Sequence, residues 1–407
     1  MTDPKPVGLP LLDGIRVLEL GSMYAAPTAG RMLRDFGASV VKVEDPATGD
    51  FARQWHPQKN GTAMGFARLN SGKRSIAIDL RHAAGRNLIQ QLATTSDVVI
   101  ENFRPGRLDS WGLGYDALSA RNPGLVLVRV SGYGQDGPYR ERPGFGTVAE
   151  TISGFAHLNG WADKPPTSPP FGFADSIAGV AGAFGAAMAL YRRQISGQGN
   201  VIDVALYEPL MFMLGDAILN FTSTGDIMTR RGNTSGSSSP RGIYEAKDGL
   251  WLSISASSQN IATRLFEAMG MPELKHDPRY RSNETRMAND NSLQELVQNW
   301  TASRTREEAL TVLERFDVVA AAVNDARDIV SDAHFLSRTL VELSNTNLGS
   351  ALMPGPILHV AGHTAPSYDG IPTIGEHTRE VLVDELGLTE AELTELLDTH
   401  VISLASQ

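Results

Sequence analysis

Residues 171–191 form one unbroken apolar stretch in which Ala and Gly predominate and a single carboxylate, Asp175, stands near the head. So many small residues leave almost no side-chain spacer between a helix and its neighbours, so the segment belongs against other elements rather than in solvent. Its length would also suffice to span a bilayer. Ala and Gly favour hydrocarbon far less than Leu and Ile do, however, and the carboxylate opposes insertion. The stretch reads as the buried helix of a soluble protein. Asp175 itself has two readings. Desolvation raises a carboxyl pKa, whereas free amides at a helix N-terminus lower it; together they can keep a reactive, ionised carboxylate out of water. Alternatively, Asp175 simply caps the helix. The residues alone leave both open.

The first half of the chain alternates short runs rich in β-branched residues, at 15–20, 39–44, 75–79, 97–101 and 125–130, with helical patterns such as 26–36 and 83–94. That alternation predicts an α/β fold with a doubly wound, Rossmann-like parallel sheet. The dinucleotide fingerprint is missing. Gly21-Ser-Met-Tyr-Ala-Ala-Pro27 follows the first strand where a three-glycine turn would be required, and Glu44 alone does not make a ribose site. Residues 65–73 fail as a phosphate loop, because the spacing is wrong and Arg74 replaces the needed Ser or Thr.

At 407 residues two domains are expected. The pattern assigns 1–200 to a large domain, 201–230 to a linker, 231–334 to a smaller α+β domain and 335–407 to a return into the large one. The smaller domain opens with a Gly/Ser-rich stretch at 232–240, either a plain loop or a mobile lid. A hairpin over 241–255, turning at Asp248-Gly249, comes next. The formal charge of −10 argues against nucleic-acid partners. The absence of cysteine and the polar N-terminus fit a cytoplasmic protein. Nine histidines are scattered without a ligand pair, so no metal is expected, and no Gly-x-Ser-x-Gly elbow is present. What remains for chemistry is a carboxylate.

The chain resembles a known family. Leu12-Asp-Gly-Ile-Arg-Val-Leu-Glu-Leu20, Ala26-Pro27, and Gly37-Ala-Ser-Val-Val-Lys-Val-Glu44 look like the opening of the class III CoA-transferases. Formyl-CoA and carnitine CoA-transferases and the α-methylacyl-CoA racemases belong to the same family. Asn70-Ser-Gly-Lys-Arg-Ser-Ile-Ala-Ile-Asp79, Glu101-Asn-Phe-Arg-Pro-Gly106, Ser131-Gly-Tyr-Gly-Gln-Asp-Gly-Pro138 and Gly375-Glu-His-Thr378 continue the match in order. The resemblance implies that Asp175 is catalytic, that a CoA thioester is a substrate and that no cofactor is held permanently. It also implies an interlocked homodimer, each chain threading through the other. In such transferases the carboxylate attacks the donor thioester, giving a mixed anhydride and free CoA thiolate. The thiolate then attacks the aspartyl carbonyl, releasing the donor acid and leaving an aspartyl-CoA thioester. The acceptor carboxylate reverses the sequence.

For CoA the resemblance implies Tyr24, Ala25, Ile78, Arg81, Asn102, Phe103 and Arg104, with Phe103 able to face adenine and Arg81, Arg104 or Arg107 able to pair a phosphate. Two positions depart from that pattern: a basic residue that stacks on the adenine in formyl-CoA transferase falls at Asp45, and another basic contact falls at Ser110. The racemases pair their Asp with a His, and that position is Phe145, which cannot move a proton; His157 is off the motif. Transfer is therefore preferred to racemisation, and the retained Asp175 argues against a non-catalytic CoA-binding protein. Serines replace the formyl-CoA transferase glycine run at 232–240, which weakens oxalate as the acceptor and leaves a small dicarboxylic or hydroxy acid with a succinyl-type donor.

Overall fold

A computed structural model describes residues 10–345, 347–362 and 366–405. Six strands succeed one another along the chain: β1 (Arg16–Glu19), β2 (Ser39–Glu44), β3 (Arg74–Ile78), β4 (Val98–Glu101), β5 (Val126–Ser131) and β6 (Val201–Ala205). They pair in parallel in the order β3-β2-β1-β4-β5-β6, and Ile402–Ser403 adds antiparallel beside β3. Helices cover both faces of the sheet, and β4 and β5 are buried along their whole length. Their sequences accordingly run as nearly continuous apolar stretches rather than alternating. The mixed α/β class and the parallel-dominated sheet agree with the sequence expectation, and small additional sheets accompany it.

The helices of this unit include α1 (Ala25–Asp35), α2 (Ala83–Thr94), α3 (Gly146–Ile152) and α4 (Phe173–Ser196). The Ala/Gly-rich stretch is α4. It lies against α1 and β5, and Gly179 shows why small residues are needed: a Cβ there would stand 2.6 Å from Thr28 Cβ and 2.7 Å from the Ala25 carbonyl oxygen. The helix is long and apolar enough to cross a membrane, but half of its apolar window is buried within the chain.

Two boundaries differ from the sequence expectation. Residues 201–205, placed in the linker, are the edge strand β6: Val201, Ile202 and Val204 suit a strand, and they pair with the apolar run 127–131 of β5. The chain also divides into two compact units. The larger runs through Phe155, takes in Pro169–Gly215 and resumes at Ala333; the smaller is Asp216–Asp332 together with Ala156–Ser168. That short excursion ahead of α4 carries no signal that sequence periodicity could register.

The smaller unit holds a three-stranded antiparallel sheet made from the expected hairpin, Arg241–Glu245 and Trp251–Ser255, and from Ala320–Ala322. Leu252, Ile254, Leu265, Val297 and Leu313 form its core. The serine stretch at 232–240 is tied into this unit. Ser239 Oγ donates to Asp290 at 2.6 Å, and Arg286 Nε donates to the Ser239 carbonyl at 2.6 Å.

Candidate active site

Strand order reverses between β1 and β4, so the chain leaves these two neighbouring strands in opposite lateral directions and opens a crevice beyond their C-terminal ends. The turns after them are the ones singled out from sequence. Asn102 bridges the crevice: its Oδ1 accepts the Ser22 amide at 3.0 Å and its Nδ2 donates to the Ser22 carbonyl at 2.8 Å. Phe103 is fixed next to it, its amide donating to the buried Glu101 carboxylate at 2.7 Å. Burial raises the Glu101 carboxyl to about 7, against the pull of its ion pair with Arg129. Phe103 also meets Trp111 edge to face, with ring centroids 5.2 Å apart.

A cavity of about 910 Å³ opens here. Tyr24, Ala25, Asn102, Phe103, Arg104 and Asp175 all line it, which brings together most of the residues named from sequence. Ile78 and Arg81 are not part of its wall. Ile78 is buried in the core at the end of β3, and Arg81 is exposed, paired with Asp79 at 2.8 Å and with Asp45 at 2.9 Å. Asp45, one of the two departures met in the sequence, therefore draws a cation to that spot from the next loop. Ser110 lies in the short helix after Arg107, whose guanidinium faces the Trp111 ring.

Asp175 stands in the first turn of α4, whose N-cap position is Gly172 with no side-chain cap bond, so the capping alternative is not realised. Its carboxylate rests against the first residue of α3. A Cβ on Gly146 would fall 2.1 Å from Asp175 Oδ2, and one on Gly172 3.3 Å away. Burial raises the Asp175 carboxyl to about 6, the neighbouring Glu150 adds to the rise, and the helix-start amide only partly opposes both. Desolvation thus outweighs the helix terminus. Glu150 is itself buried and accepts the Ala174 amide at 3.4 Å.

Among the described residues, Asp175 is the single carboxylate of the cavity wall, which also carries four arginines: Arg68, Arg104, Arg140 and Arg142. Arg140 pairs with Glu141 and Arg142 stacks on Tyr139. Arg68 differs. It is partly buried on helix Met64–Asn70, has no carboxylate partner among the described residues, and donates to Tyr24 Oη at 2.6 Å. Phe145, at the position where the racemases carry a histidine, lines the cavity, as does one histidine, His56. His157 belongs to the smaller unit and contacts the Met228 carbonyl. Among the described residues no cluster of side chains could hold a metal ion. Gly146, Glu150 and Arg68 escaped sequence reasoning. Gly146 and Glu150 follow shortly after Phe145, but nothing in the spacing marks them.

The sequence model of CoA-transferase family III matches residues 12–378. The chain belongs to this family. It is 40% identical over 394 residues to the succinyl-CoA–D-citramalate CoA-transferase of Chloroflexus aurantiacus, covering 96% of this chain and 98% of that one. It is 32% identical over 394 residues to mouse succinyl-CoA:glutarate CoA-transferase, covering 96% and 90%. A crystal structure of a CAIB/BAIF family protein from Brucella suis superposes with a TM-score of 0.82 at 31% identity, covering 93% of this chain and all of that one. This family III member is a CoA-transferase, acting between an acyl-CoA and a carboxylic acid.

Proposed function

We propose that this transferase moves CoA from a succinyl-type thioester to a small dicarboxylic or hydroxy-dicarboxylic acid, with Asp175 as the covalent nucleophile. One observation carries the reading: a lone, partly buried carboxylate sits in a cavity whose other charged side chains are four arginines, beside the two turns of the sheet reversal. A carboxyl raised to about 6 is largely ionised at neutral pH yet poorly solvated, and a poorly solvated carboxylate is a stronger nucleophile. Its Oδ attacks the thioester carbonyl, the C–S bond breaks and the CoA thiolate leaves, giving the mixed anhydride. The thiolate then attacks the aspartyl carbonyl, the anhydride C–O bond breaks and the donor acid departs. The acceptor carboxylate attacks the aspartyl-CoA in turn, and the steps run in reverse. Phe145, Pro169, Pro170 and Phe171 give the wall apolar surface that keeps water from the anhydride.

Tyr24, Ala25, Asn102, Phe103 and Arg104 hold CoA, with Arg81 toward the adenosine end and the buried Ile78 backing that end from the core. Arg68 supplies the cation for the distal carboxylate of the acid, the feature that small dicarboxylic acids share. Relatives named for citramalate and glutarate support this substrate class. The active form is an interlocked cytoplasmic homodimer. Phe184, Met188, Tyr191 and Ile195, a stripe along α4 that is 64%, 51%, 72% and 65% exposed, suit burial against a second copy. Light scattering should give twice the chain mass, and a monomer at micromolar concentration would refute that.

The deciding experiment gives the enzyme succinyl-CoA alone and treats it with hydroxylamine. A hydroxamate at Asp175, found by peptide mass, is expected. The second base a racemase requires is replaced by Phe145, and α-proton exchange with deuterium without an adduct would overturn the transfer mechanism.

A further inference from the structure

Side chains from three other segments hold the turn at 21–24 that comes after β1. Lys42 Nζ donates to the Gly21 carbonyl at 3.0 Å, and Asn102 takes both the amide and the carbonyl of Ser22. The Met23 amide is taken by Asp50, whose two carboxylate oxygens accept it at 3.0 and 3.1 Å. Met23 has φ +68°, in the left-handed region that a residue with a side chain enters only at a cost. Something has to hold it there.

Asp50 is built for that grip. It is 3% exposed, its carboxylate also accepts the Ala52 amide at 2.9 Å, and it pairs with the buried Lys42 ammonium at 2.8 Å. Lys42 in turn meets Glu19 at 3.0 Å, and Glu19 meets Lys73 at 2.7 Å. The whole cluster lies behind the turn: Met23 lines the cavity, whereas Asp50, Lys42, Glu19 and Lys73 do not. Apolar side chains of similar volume generally fill such a space without loss of stability, but they would leave the Met23 amide without an acceptor.

We propose that Asp50 is a positioning residue for CoA binding: it clamps the Met23 peptide in its left-handed form and so preforms the segment 22–25 that receives the thioester. The assignment rests on the reading of this cavity as the CoA site. In Asp50→Asn one of the two oxygens becomes an amide donor and one of the two carboxylate charges on Lys42 is lost. CoA affinity, measured by isothermal titration, should fall at least tenfold, and KM for succinyl-CoA should rise more than kcat falls.

A merely structural role would not predict the second result. Glycine takes a positive φ without strain, so the loss caused by Asp50→Asn should be at least threefold smaller in a Met23→Gly background than in the wild-type background. Equal losses in both backgrounds, or Asp50→Asn protein that binds CoA as the wild type does, would overturn the clamp. If Asp50→Asn does not fold, Met23→Val and Met23→Gly carry the test with the charges intact. Both lose the long side chain but only Val opposes a positive φ, so Val should bind CoA at least fivefold more weakly, and equal affinity overturns the proposal. Wild-type protein that binds no CoA would instead overturn the CoA site itself.

Discussion

Replacing Asp175 by Asn removes the charge while keeping the shape, and it should make the protein more stable at alkaline pH as it destroys activity. The carboxyl is raised from 3.8 to about 6 by burial first and by Glu150 second. A raised folded-state value means that the folded protein holds the proton more tightly than the unfolded chain. The associated stability is fully present below about pH 3.8 and is lost as pH rises through about 6. Two units correspond to about 3 kcal/mol at pH 8, and the partial exposure of the group trims this toward ~2 kcal/mol. Asp175→Asn escapes that cost. Its advantage in urea unfolding should therefore be about 2 kcal/mol at pH 8, shrink to roughly half by pH 5 and nearly vanish by pH 4. Comparing variant with wild type at each pH cancels every other titrating group to first order. If the two proteins unfold alike at pH 8, or if their difference fails to narrow between pH 8 and pH 5, the carboxylate is not held against its solvation. The same ionisation should appear kinetically: the wild-type rate declines below an apparent pKa near 6, because the protonated acid cannot attack.

Gly146→Ala places a methyl 2.1 Å from Asp175 Oδ2 and must displace the carboxylate; kcat should drop on the order of 100-fold with unfolding little changed, and near-wild-type turnover would show that the contact relaxes freely. Arg68→Ala should raise KM for a dicarboxylic acceptor at least tenfold while leaving a monocarboxylic acid of equal length unaffected, whereas equal effects on both would remove Arg68 from acceptor recognition. If the Arg81 guanidinium, paired with Asp45 and Asp79, also serves the 3′-phosphate as proposed, Arg81→Ala should weaken CoA more than dephospho-CoA in direct titration; equal losses would rule out that role.

Short apolar runs such as 98–101 and 126–131 were legible as parallel strands because a strand covered on both faces needs no polar alternation. The Ala/Gly density of 171–191 was legible as close helix packing for a related reason: a helix that touches another through Gly179 cannot carry side chains there. Periodicity and small-residue density are local properties, and the sequence displays them directly. The family motifs likewise identified Asp175, Asn102 and Phe103, which the cavity brings together.

Whether Asp175 caps its helix or is held poorly solvated was a different kind of question. The answer depends on Gly146 and Glu150 in another helix and on how far burial outweighs one helix terminus. The grip of Asp50 on Met23, 27 positions apart, and the pairing of Lys42 with Glu19 and of Glu19 with Lys73 are equally invisible along the chain. Val201–Ala205 became a strand rather than a linker because β5 was there to pair with it. Sequence determined which segments could be helix, strand or nucleophile. Tertiary structure decided the proton affinity and the shape of the site, because electrostatic and steric interactions depend on distance through space, which is fixed only when the chain has folded.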